Sequence, residues 1–202
     1  MFMPSLPWLP SFVWTDYRLA VLLMVLSPLA LLIQAFVQKN NAIQHLLAIY
    51  WRVASLLLIT VYLFVGAYPI GFISGWFARI LIPLSLWFWV DLNEEITEQP
   101  TNQLKLMFTS WRWAVSVYSV LGAIAQTPWL QCAFLPSQQM VANQVCRLWL
   151  EPPWAFREVF NAGMKPYTLG LLAMLALGAY VLCLGYFVFF RLGKQGRSAI
   201  GP

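Results

Sequence analysis

A charge inside an apolar helix is the costliest feature of this sequence, and Arg79 is such a charge. It lies within the apolar stretch from Gly71 to Val90, where desolvation penalises a guanidinium and makes the residue a functional candidate by default. None of the five apolar stretches of the chain contains an Asp or Glu to pair with it. In one reading, Tyr68 to Gly75 forms an extended turn and the helix starts at Trp76. Arg79 then lies one turn inside and snorkels outward beside Trp76 and Phe77. In the other reading it binds an anionic lipid, a cofactor or a partner's carboxylate. Pro83 brings no N–H, so it should kink the helix and free a carbonyl near Arg79.

Asp91, Glu94, Glu95 and Glu98 share one helix face at spacings of three, four and seven, a pattern that could hold a divalent metal through oxygen alone. The Glu-x-x-His pairs of a di-iron bundle are missing. A solvated face that docks a basic patch of another subunit is the better reading, and no metal site is expected. His45 is the only histidine, which excludes histidine-cluster desaturases, two-histidine zinc proteases and bis-histidine haem. One histidine at a span boundary could ligate a chlorophyll magnesium or serve a quinone, but an interfacial residue bonded to backbone or water is the plainer role. Cys132 and Cys146 are too far apart for a Cys-x-x-Cys redox pair. A structural disulfide between them would contribute about 3 kcal/mol by loop closure, with two free buried thiols as the alternative. No nucleophile, base and orienter can be assembled from one His and no intramembrane acid, so no catalytic residue is expected. Gly170, Gly178 and Gly185, with alanines between, form a small-residue face suited to close helix packing, within the chain or against a partner.

The elements that must position these residues are set by the hydropathy pattern. Apolar stretches run roughly over 19–37, 46–67, 71–90, 106–126 and 168–190, each near the roughly 20 residues that a helix needs to cross a hydrocarbon core of about 30 Å. With 61% hydrophobic and 9% charged residues, the 202-residue chain reads as one all-α polytopic membrane domain. The net charge of +5 comes from residues scattered singly at span ends, which suits lipid headgroups and not nucleic acid.

With five spans, one side carries Lys39, Arg52, Lys105, Arg112, Arg191, Lys194 and Arg197, and the other carries Arg18, Arg147, Arg157 and Lys165. The positive-inside rule then places the N-terminus outside and the C-terminus in the cytoplasm. A basic start and a small-residue cleavage site are missing, so the first span is expected to be retained. All eleven tryptophans fall at or beyond a proposed interface, and none lies mid-span. Gln38 to His45 and Tyr68 to Gly71 read as tight turns joining up-down-up neighbours. The run from Asp91 to Glu98 extends the third helix into solvent. The outer segment, 127–167, carries a short amphipathic helix near Trp154 to Gly163, lying on the membrane surface.

Three segments carry a wider likeness: Trp14-Thr-Asp-Tyr-Arg-Leu-Ala-Val21, Ile49-Tyr-Trp-Arg-Val-Ala-Ser-Leu56, and the run from Ala78 to Ile96. They resemble a family of small integral membrane proteins from cyanobacteria that has no assigned activity. The resemblance implies a thylakoid membrane, with the outer side as lumen, and carries over no active site. The leading expectation is a non-enzymatic accessory or assembly protein that joins a larger photosynthetic membrane complex. A small-solute or ion transporter using Arg79, and a lipid- or quinone-related membrane enzyme, are the alternatives. No cofactor is required, though chlorophyll or lipid could be held.

Overall fold

Asparagine and proline punctuation sets the helix boundaries. The side chains of Asn40 and Asn102, both in extended backbone, accept from the N–H groups of Ile43 (3.1 Å) and Lys105 (2.8 Å) and so cap the helices that follow. Lys39 and Ala67 adopt positive φ, 53° and 54°, at the two tight turns. The structure, a computed structural model, describes residues 7–191 and 198–199. Its helices are Leu9–Val37 (α1), Asn41–Val65 (α2), Ile70–Trp87 (α3), Val90–Glu98 (α4), Gln103–Gln126 (α5), Ser137–Ala142 (α6), Gln144–Leu148 (α7), Glu151–Phe160 (α8) and Pro166–Tyr186 (α9). A 3-10 segment, Thr127–Phe134, follows α5. The described residues contain no strand.

The chain is therefore an all-α polytopic bundle, with four helices long and apolar enough to cross a membrane: α1, α2, α3 and α9. The fourth of the five expected spans corresponds to α5. Its 24 residues reach about 36 Å, but Lys105, Arg112 and several hydroxyl residues make it less apolar than the others. Lys194 and Arg197, counted in the charge bias, lie outside the described residues. α2 is central and packs against α1, α3, α4, α8 and α9.

Two expected boundaries are corrected. α1 begins at Leu9, not near Leu19, because Pro10 sits in its first turn, where a missing N–H costs nothing. α3 begins at Ile70, one residue before the expected stretch from Gly71, which overturns the reading that started the helix at Trp76, so Arg79 lies nine residues inside and not one turn from the end. A third correction concerns the acidic run, which does not continue α3. Trp89 is extended (φ −84°, ψ 102°), and Asn93 Nδ2 donates to the carbonyl oxygens of Trp89 (2.7 Å) and Leu86 (3.3 Å). The break folds α4 back so that Leu92 and Ile96 enter the main core, while Glu94, Glu95 and Glu98 stay exposed.

Inside α1 a π-type turn over Val21–Leu26 precedes Pro28. Pro28 has no N–H for the Met24 carbonyl, and the Ser27 N–H goes to Leu22, so the Leu23 and Met24 carbonyls lose their usual donors. Tyr50 from α2 donates its hydroxyl to Met24 O (2.7 Å), and Trp111 from α5 donates Nε1 to Leu23 O (2.8 Å). The two rings meet edge to face at 5.1 Å. In a hydrocarbon layer an unmet carbonyl is expensive, so these donors are what make the irregular turn tolerable. Trp111 thus spends its N–H inside the bundle, on a carbonyl near the middle of α1.

Candidate functional site

Three helices bring a buried polar cluster together. On α1, Leu9, Val13 and Asp16 follow one another at helical spacing, and the first two are buried in the core of that end of the bundle. On α3, Arg79 lies on the buried face with Gly75, Ala78 and Ile82. On α5, Tyr118 and Gly122 are one turn apart. Arg79 Nη2 lies 2.5 Å from Asp16 Oδ2, with the two side chains only 9% and 12% exposed. The Tyr118 hydroxyl lies 2.7 Å from both Asp16 Oδ1 and the Asp16 carbonyl, and the guanidinium carbon stands 5.5 Å from the centre of the Tyr118 ring. Space for Arg79 comes from Gly122, since a Cβ there would lie 1.7 Å from Nη1. Nη1 itself is buried with no acceptor.

Arg79 therefore does not snorkel past Trp76, and a carboxylate does pair with it. The absence of acids from the five stretches held only because α1 was expected to begin after Asp16. Chemically the cluster is a desolvated ion pair with its carboxylate oxygens shared between a guanidinium and a phenol. It contains no nucleophile and no histidine, and it ties α1, α3 and α5 together.

A second arginine is buried at the opposite end. Arg112 on α5 is 7% exposed, donates from Nη1 to Asn93 Oδ1 of α4, and stacks 4.1 Å from the centre of the Trp87 ring, with Phe108 at 5.7 Å. Trp87 in turn donates Nε1 to Ser116 Oγ at 2.9 Å. Between α3 and α5, a groove of about 620 Å³ runs past Trp76, Arg79, Pro83, Trp87, Val120 and Ile124.

The end of the bundle beyond Asp16 is closed by a cap. Cys132 and Cys146 are joined by a disulfide, Cα to Cα 5.8 Å, linking the 3-10 segment to α7. Around it pack Leu9, Val13, Phe72, Met140 and the rings of Phe12, Trp129 and Trp149. Phe12 stacks on Trp129 at 6.2 Å, and Trp129 meets Trp149 at 5.4 Å.

Over residues 10–200 the chain matches the family described as protein of unknown function (DUF3177). It belongs to that family. No curated protein and no solved structure matches it. The family match takes in Asp16, Arg79, Arg112, Tyr118 and the disulfide, so both buried arginine sites fall within it.

The remaining residues singled out by sequence are not gathered into one site. His45 is exposed on α2, far from the cluster in sequence and in a different face from Tyr50. Asp91 Oδ2 accepts from Ser198 Oγ (3.0 Å) and the Ala199 N–H (2.8 Å), which returns residues 198–199 to α4. Among the described residues no three His, Cys, Asp or Glu side chains group as metal ligands. Gly170 is a genuine close contact: a Cβ there would lie 2.8 Å from the Gly66 Cα and 2.6 Å from the Tyr68 ring. A Cβ at Gly178 or Gly185 would meet nothing within 4 Å. On α8, Pro152 and Pro153 are buried and Phe156 meets Tyr62 at 6.1 Å, while Val159 and Phe160 are 75% and 69% exposed.

Sequence reasoning missed Asp16, Tyr118 and Gly122. The available signal for Asp16 was the spacing that continues Leu9 and Val13. For Gly122 it was a glycine within an otherwise well-formed helix, where it costs about 1 kcal/mol relative to alanine unless something needs the room.

Proposed function

We propose that the protein is a non-enzymatic accessory or assembly factor that joins a larger complex of the photosynthetic (thylakoid) membrane side-on through α9. The observation that carries this reading is the open Gly178 and Gly185 side of α9, a helix that is otherwise held to α2 in this stretch by contacts such as Tyr180 donating to the Val53 carbonyl at 3.4 Å. Its buried residues are confined to Leu169, Gly170 and Ala173 near its start, and beyond them Gly178 and Gly185 meet nothing. A helix bathed only in lipid gains nothing from glycine, which costs about 1 kcal/mol per residue relative to alanine. Small residues repay that cost when another helix backbone comes close.

The photosynthetic setting rests on the segment likeness of residues 14–21, 49–56 and 78–96. In this reading α5 is the fifth crossing, the N-terminus and the disulfide cap face the lumen, and α4 faces the cytoplasm. An oxidising lumen suits the Cys132–Cys146 bond. Transport through Arg79 is less well supported, because Asp16 already matches its charge.

The test is purification of tagged protein in mild detergent, followed by native electrophoresis, absorption spectroscopy and mass spectrometry of what travels with it. Near-stoichiometric co-migration with a photosystem or electron-transfer complex, lost in the Gly178→Leu, Gly185→Leu double variant, is the expected result. A colourless band without companions would sink the proposal.

A further inference from the structure

Arg52, within α2, is placed unlike the two buried arginines. It stands near the middle of the 25-residue helix, about 16 Å from its start, and it is exposed on the outside of the bundle. α2 contains no Asp or Glu. Among the described residues the Arg52 guanidinium meets no carboxylate, and Ser55 Oγ bonds only the backbone carbonyl of Arg52 (2.7 Å). A charge at an exposed position of an apolar span calls for a counter-charge from outside the chain.

The neighbouring helix shows at what depth that counter-charge lies. α4 runs back beside the first half of α2, where Leu92 and Ile96 share a core with Ile43, Leu46, Leu47 and Tyr50. At its far end Asn40 Nδ2 donates to Gln99 Oε1 (2.6 Å). Glu94, Glu95 and Glu98 are exposed on α4, and three exposed carboxylates do not lie in hydrocarbon. The first half of α2 is therefore at headgroup level. Helical side chains point toward the helix start, so Arg52 carries its guanidinium about one turn back, over Ala48 and into that layer.

His45 lies seven residues before Arg52, about 10 Å away along the same face, and it is exposed as well. Ala48, exposed between them, leaves the space open. A carboxylate would satisfy Arg52 alone, whereas a phosphodiester has oxygens for both residues. The face of α2 offers no carboxylate to receive an ammonium group, so the matching headgroup carries net negative charge.

We infer that Arg52 and His45 form a site for one anionic glycerolipid, whose phosphate lies over Ala48 and accepts from both side chains. The site does not depend on any partner held by α9.

The test uses the full-length protein in mixed micelles containing equal amounts of phosphatidylglycerol and phosphatidylcholine with the same acyl chains. Retained lipid is read by native mass spectrometry. About one phosphatidylglycerol per protein is expected, favoured over phosphatidylcholine by about tenfold, the value of one charge-assisted hydrogen bond. Arg52→Gln should remove that preference, and His45→Gln should lower it by about threefold. Lys39→Gln, which removes an exposed cation at the turn before α2, should leave it unchanged and separates a site from general positive charge. Equal retention of the two lipids, an undiminished preference in Arg52→Gln, an equal loss in Lys39→Gln, or displacement of the lipid by inorganic phosphate would each overturn the proposal. So would an Arg52→Gln protein that keeps its lipid but loses a companion protein on native electrophoresis, since the counter-charge would then be the companion's carboxylate.

Discussion

The two buried arginines solve the same problem with different chemistry. Each lies nine residues from the start of its helix, and each points toward that start, as helical side chains do. Arg79 meets a carboxylate from α1, whereas Arg112 meets the amide of Asn93 and the face of Trp87. The surroundings explain the difference. Arg112 reaches toward α4, whose exposed face carries Glu94, Glu95 and Glu98, so its charge lies near a polar boundary where dipoles and a ring quadrupole suffice. Arg79 is enclosed by three apolar helices and a cap of aromatic rings, where a full counter-charge is needed. A membrane-embedded charge is thus neutralised according to how far it sits from polar surroundings.

Removing the partners should therefore cost unequal amounts. Asp16→Leu leaves Arg79 buried and unpaired and should destabilise by about 3–5 kcal/mol, seen as a loss of folded protein in thermal unfolding in detergent. The Asp16→Leu, Arg79→Leu double variant should recover most of that loss, because the penalty belongs to the orphaned charge. If the double variant is as unstable as the single one, the pair is not the source of the effect. Next in size, Gly122→Ala places a methyl on Arg79 Nη1 and should cost about 1–3 kcal/mol by overpacking. Chemical denaturation of the two proteins side by side would measure it, and a neutral result would mean that Arg79 can move aside.

Asn93→Leu should cost about 2 kcal/mol, because it removes the bond to Arg112 together with the bonds of Asn93 Nδ2 to the Trp89 and Leu86 carbonyls, while Trp87 still covers Arg112. A loss equal to that of Asp16→Leu would erase the distinction between the two sites. Smallest of all, Tyr118→Phe removes one hydroxyl that shares Asp16 and should cost about 1 kcal/mol, readable as a small drop in melting temperature.

Much of the fold was legible in the residues. Apolar run length is a one-dimensional property, so α2, α3, α5 and α9 could be placed within a few residues. The site was less legible because its parts are distant in sequence: Asp16 and Arg79 are 63 residues apart, and Tyr118 is 102 from Asp16. Asp16 also stands between Trp14 and Arg18, a polar-looking stretch that hides a helix whose buried face is set by Leu9 and Val13. The bend before α4 was hidden for a different reason. Trp89 and Asn93 break the helix through a local side-chain cap, while the period of the acids reads the same on either side of the break. The unequal fate of the glycines could not be read from spacing at all, since Gly170 and Gly178 differ only in what stands opposite them.

The π-type turn of α1 has a temporal meaning. α1 is made before α5, yet the donor for its Leu23 carbonyl is Trp111, 88 residues further along the chain. Until α5 has been synthesised and docked, the first helix sits in lipid with an open backbone oxygen at its centre. The hydrogen bonding of α1 is therefore completed only when the bundle closes, and a chain truncated before Trp111 lacks the donor for that oxygen.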